Sequence, residues 1–96
     1  MKIAITSLGK NPKSEISPQA GRAPYYLIFE DGKLIEAWKN VFSVGGGGVS
    51  LAVSKIMADK GVNKVISVNF ADKMINTLKE KGIDFEEKTG IVEDVL

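Results

Sequence analysis

Apolar residues recur along this chain with two periods. The opening run "KIAIT" (2–6) is β-branched and apolar at successive positions, which predicts a central strand buried on both faces. Further on, "YYLIFEDGKLIEAWKN" (25–40) divides into two strand-forming runs around Asp31-Gly32, a dipeptide suited to a hairpin turn whose two central residues need positive φ. Pairing outward from a two-residue turn sets Phe29 opposite Leu34 and Tyr25 opposite Trp38. One face then carries Tyr25, Leu27, Phe29, Leu34 and Trp38, and the other Tyr26, Ile28, Ile35 and Ala37, so both need cover.

The helical period supplies that cover. Val49, Ala52, Val53, Ile56 and Met57 follow i, i+3, i+4, i+7, i+8 spacing and stop at Gly61. Ala71, Met74, Ile75 and Leu78 repeat it, with Asn69 as expected N-cap, Asp72 at the positive end, Lys79 and Lys81 at the negative end, and Gly82 as stop. After each helix come a Lys-Gly pair, an apolar residue, then Asn or Asp and a strand, as in two successive α-β units. The ending "TGIVEDVL" aligns Ile91, Val92, Val95 and Leu96 on one helical side and predicts a short terminal helix.

This order predicts an α/β fold of three layers, α/β/α, built on a mixed five-stranded sheet with helices on both faces. If the first three strands form an antiparallel meander, strands one, three and four point the same way. Residues 7–24, 41–48 and 67–71 then meet at their carboxyl edge, where open α/β sheets favour ligands. The first of these segments is long, carries Pro12, Pro18 and Pro24, and has neither helical nor strand periodicity.

Composition narrows the function. Ninety-six residues, 44% hydrophobic, suffice for one core, so residues 1–96 are expected to form a single domain. Thirteen basic against twelve acidic residues leave a net charge of +1, which gives no electrostatic reason for a nucleic-acid partner. The amino-terminal apolar run is too short for a secretory signal and no stretch has the apolar length of a membrane span, so a cytoplasmic protein is expected. There is no Cys and no His, which excludes disulfides, thiolate and imidazole chemistry, and the zinc and iron–sulfur ligand sets built on those side chains.

Two features at the expected edge carry chemistry. Gly45, Gly46, Gly47 and Gly48 precede a helix, where uncovered N–H groups and the helix dipole attract anions. The competing reading is a linker that turns the chain onto the sheet. The Walker pattern is absent, since Val49 and Ser50 follow the glycines, and no Gly-x-Gly-x-x-Gly spacing fits. Arg22, the only arginine, stands in the long loop between Gly21 and Ala23, where its planar fork could hold a carboxylate, phosphate or similar oxyanion, or else pair with an acidic residue. The carboxylate pairs Glu30-Asp31, Glu86-Glu87 and Glu93-Asp94 read as solvated surface charge.

The segment Ser17-Pro18-Gln19-Ala20-Gly21-Arg22-Ala23-Pro24-Tyr25-Tyr26, the glycine-rich turn, "MADKGVNKVI" and "LKEKGIDF" together resemble the nitrogenase accessory family, associated with biosynthesis of the dinitrogenase iron–molybdenum cofactor. The likeness spans nearly the whole chain. It implies a ribonuclease H-like α/β/α fold and a non-catalytic protein that binds or chaperones the iron–molybdenum cofactor or an iron–sulfur precursor. Where the family carries a loop histidine this chain has Gln19, and where a histidine is often found near the glycine turn it has Ser43, Val44 and Gly45. The ligand-binding set implied is therefore an anion-binding one: Gln19, Gly21, Arg22, Ser43, Gly45, Gly46, Gly47, Gly48 and Asn69. Two other readings compete. A metal-dependent nuclease would place carboxylates on the first strand, and "MKIAITS" has none. A small-oxyanion or ligand-free interaction module could join a protein partner or a second copy through the outer hairpin strand.

Overall fold

The computed structural model describes residues 1–44 and 48–96. The strands are β1 (Lys2–Ser7), β2 (Tyr25–Glu30), β3 (Lys33–Lys39), β4 (Lys64–Ser67) and β5 (Asp84–Glu87); the helices are α1 (Val49–Asp59) and α2 (Asp72–Glu80), with a 3₁₀ turn at Val92–Val95. They build one mixed sheet in the order β3-β2-β1-β4-β5, with β2 antiparallel to both neighbours and β4 parallel to β1 and β5. Among the described residues no helix is long and apolar enough to cross a membrane.

The hairpin turns where expected, with Asp31 at φ 51° and Gly32 at φ 84°. Its register follows the two-residue turn only as far as Phe29 opposite Leu34. Beyond that Ile28 faces Glu36 and Tyr26 faces Trp38, so Ile35 is one residue too many on β3. This bulge moves Trp38 to the face opposite the one that simple alternation assigned. There its ring meets Tyr26 edge-on, 5.8 Å between centroids.

One face of the sheet presents Ala4, Tyr26, Ile28 and Val65 to Val53 and Met57 of α1 and Met74 and Leu78 of α2. The Lys-Gly repeat explains itself here. At the end of α1 the Val62 N–H bonds the Met57 carbonyl and the Gly61 N–H that of Ala58; at the end of α2, Ile83 bonds Leu78 and Gly82 bonds Lys79. Both are Schellman closures, with a glycine in the left-handed region followed by a buried apolar residue.

Both α-helices lie on that one face rather than one on each; the opposite face carries Ile5, Leu27, Phe29 and Ile66, and its third layer is the long loop, through Ile16, and the 3₁₀ turn, through Val92. That loop, which shows no periodicity, is pinned by non-local backbone bonds: Leu8 N–H to Glu15, Ile16 N–H to Gly90 and Val92 N–H to Ser14. The terminal turn buries Val92 but leaves Leu96 49% exposed, so the expected helical side closes only in part.

Candidate functional site

β1, β3 and β4 point the same way, so the connections that follow them leave at one edge of the sheet. The first is laced to the third by buried hydroxyls. Thr6 Oγ1 on β1 lies 2.8 Å from Ser67 Oγ on β4, and each is 3.2 Å from the Ser17 carbonyl, which also accepts the Val68 N–H. Farther along, the Ala20 N–H bonds the Asn69 carbonyl at 3.1 Å. These contacts carry the chain into a turn at Gly21, whose φ of 91° suits glycine.

Two buried side chains fix that turn. The Gly21 N–H donates to the Tyr26 hydroxyl at 2.6 Å, while Asn40 Nδ2 donates to the carbonyls of Gly21 at 2.7 Å and Ala23 at 2.9 Å. Burial pushes the Tyr26 hydroxyl well above its ordinary pKa, only partly opposed by the Gly21 N–H, so it stays a neutral phenol. With glycine before it and a fully buried Ala23 after it, Arg22 is the long side chain the turn presents.

Arg22 lines a cleft of about 750 Å³ together with Gln19 and Gly21, the first turn of α1 from Gly48 to Leu51, Asn69, and the Lys73–Thr77–Glu80 face of α2. Both helices open toward it without a side-chain cap bond; α1 has no acidic residue in its first turn, whereas α2 carries Asp72 in its own. The four leading N–H groups of a helix lack intrahelical partners and carry the positive end of its dipole. Arg22 and Lys73 add two cations against the single carboxylate of Glu80. The lining suits an anion with apolar surface, for which Val49, Leu51 and Ala71 are available.

The residues singled out from sequence divide accordingly. Gln19, Gly21, Arg22, Gly48 and Asn69 line the cleft. Ser43 does not line it; its N–H bonds the Asn40 carbonyl. Gly45, Gly46 and Gly47 lie outside the described residues. Asn69 is not an N-cap: α2 starts at Asp72 with Ala71 in the capping position, and Asn69 acts through its carbonyl. Asn40 and the Thr6–Ser67 pair escape a reading of the sequence because the bonds that join Asn40 to the Arg22 turn and Thr6 to Ser67 span 17 to 61 residues. The available signal is weak: an Asn directly after a strand.

The lining offers iron no imidazole or thiolate, and its one carboxylate is that of Glu80. The chain has no His or Cys, and among the described residues no group of three or more metal-binding side chains comes together. Its donors are N–H groups, a guanidinium and an ammonium, suited to the outer sulfide or oxide surface of an anionic cluster.

The fold is shared with solved structures. PH0822 superposes with a TM-score of 0.77 at 21% identity, over 99% of this chain and 86% of that one. The Thermotoga protein TM1290, described as a candidate NifB protein of the DUF35 family, gives 0.80 at 28% identity, over 97% and 81%. The apo form of the orange protein from Desulfovibrio gigas gives 0.86 at 19% identity, over 96% and 79%. No curated protein matches in sequence. The family model described as dinitrogenase iron-molybdenum cofactor matches residues 1–96, and this chain belongs to that family.

Proposed function

We propose that residues 1–96 act as one non-catalytic, cytoplasmic binding unit that carries an anionic metallocluster, the iron–molybdenum cofactor or an iron–sulfur precursor of it. The observation that carries this reading is the Arg22 turn, held by two buried side chains at the mouth of a cleft onto which two uncapped helix starts open. Family membership supports the choice of cargo. The cluster is held by hydrogen bonds and charge from Arg22, Lys73 and the Gly48–Ser50 backbone, with no iron–protein bond from imidazole or thiolate. Binding of that kind is reversible by design, as a carrier that must hand on its cargo requires. A bare oxyanion would use the same donors, but a cleft of about 750 Å³ falls within the roughly 300–1,000 Å³ typical of sites for much larger ligands.

The test is anaerobic titration of the protein with isolated iron–molybdenum cofactor or its iron–sulfur precursor, followed by gel filtration and iron counting. Iron is expected to co-elute with the native chain and to fall substantially, with weaker binding remaining, in Arg22→Ala, with the circular dichroism spectrum unchanged. Native protein eluting without iron, or Arg22→Ala retaining it in full, overturns the reading.

A second reading, self-association through β3, draws support from that outer strand, where Leu34 is 39% and Ile35 50% exposed. The bulge at Ile35 and the flanking Lys33 and Lys39 oppose it, since both devices discourage edge pairing. Sedimentation equilibrium decides: a single monomeric species up to high concentration removes this reading.

A further inference from the structure

Asn40 stands just after β3, is 1% exposed, and uses every polar group it has. Its N–H donates to the Pro24 carbonyl at 2.9 Å and its own carbonyl accepts the Ser43 N–H at 3.2 Å. The side-chain Nδ2 donates to the Gly21 and Ala23 carbonyls, at 2.7 and 2.9 Å, and Oδ1 accepts the Phe42 N–H at 2.9 Å. The two carbonyls bracket Arg22; the N–H belongs to the connection that leads from β3 toward α1. Only a primary amide offers two donors and an acceptor in so short a side chain: Asp has no donor, and Ser has a single one.

We infer that Asn40 is a positioning residue for Arg22, tying the turn that carries Arg22 to the end of β3 so that the Arg22 side of the cleft is set before an anion arrives. The inference rests on the cleft reading given above. A cation already held in place gives up less conformational freedom on binding than one on a loose loop. Asn40 touches no ligand in this arrangement and acts through the backbone on either side of Arg22.

The test is a double-mutant cycle with isolated iron–molybdenum cofactor as probe, titrated anaerobically against the native chain, Asn40→Ser, Arg22→Ala and the double variant. Asn40→Ser is expected to weaken binding by about three- to tenfold in the native background. In the Arg22→Ala background it is expected to weaken binding no further, because a residue that acts through Arg22 has nothing left to position. In parallel, the ¹H–¹⁵N heteronuclear NOE of the Arg22 and Phe42 amides is expected to fall in Asn40→Ser while β2 amides keep theirs. Should Asn40→Ser unfold, Asn40→Thr, which fills more of the volume with a single uncharged hydroxyl, is expected to give the same pattern. Equal losses in both backgrounds, or unchanged affinity with unchanged NOE values, overturn the inference and leave the cleft reading standing. An Arg22→Ala chain that binds as tightly as the native one overturns both.

Discussion

Replacing Tyr26 by Phe removes one oxygen from a site with 0% exposure and leaves the ring beside Trp38 in place. What is lost is the acceptor for the Gly21 N–H, now 2.6 Å from the hydroxyl. A buried donor left without a partner costs about 1–3 kcal/mol, so the urea midpoint should fall by roughly 1 M with the slope unchanged. The same hydroxyl gives the experiment a second axis. Its folded pKa is raised above the ordinary 10.0, chiefly by burial. Its contribution to stability is therefore complete below pH about 10 and drains away as the pH rises from there toward the folded value, because the unfolded chain ionises first. The gap between native protein and Tyr26→Phe should thus be constant from neutrality to pH about 10 and then close by about 1.4 kcal/mol per pH unit. Equilibrium urea unfolding of the two proteins at a series of pH values reads the difference directly, and other titrating groups cancel in it. Equal stability at pH 7, or a gap that stays constant well above pH 10, would refute the account of the turn.

Other expectations are simpler. Leu78→Ala deletes a fully buried side chain between α2 and the sheet and should cost about 2–5 kcal/mol in urea or thermal unfolding. Gly61→Ala meets no close obstacle, since the added carbon would sit 3.7 Å from Lys2 Nζ, yet φ there is 77°; the loss should be about 1–2 kcal/mol of purely conformational origin. The Glu86 carboxyl is held below its ordinary value by the hydrogen bond from Lys64, with Lys88 adding to it. Its midpoint in a carbon-detected NMR titration should rise in Lys64→Met. The stability tied to it is present above the ordinary glutamate value and lost as the pH falls through the folded one.

What could be read from the sequence follows the range of the forces involved. Hydrophobic period and turn chemistry are local, and they led to the five strands, both helices, the Asp31-Gly32 hairpin and the convergence of three connections at one edge. The Lys-Gly-apolar repeat was visible as a pattern, and its meaning, two Schellman closures, is also local. The bulge at Ile35 was not legible, because alternation on β3 is apolar on both faces and nothing near the turn marks the extra residue. Asn69 resembled a cap by type and spacing, but its carbonyl is engaged by Ala20 and the chain buries Phe70 before α2 begins. Arg22 and Gly48 were legible as candidates by residue type; the clamp of Tyr26 and Asn40 was not, since it joins side chains to backbone carbonyls and an N–H that no local pattern pairs with them.

The central claim is that an anionic cluster sits between the Arg22 turn and the two helix starts. The most direct measurement is a ¹H–¹⁵N correlation spectrum of the native chain recorded during anaerobic addition of isolated iron–molybdenum cofactor, whose iron broadens nearby amide signals. The expected result is broadening at residues 20–22, 48–51 and 71–73, with β5 and the hairpin turn untouched. Broadening centred elsewhere, or none at saturating cofactor, contradicts the account.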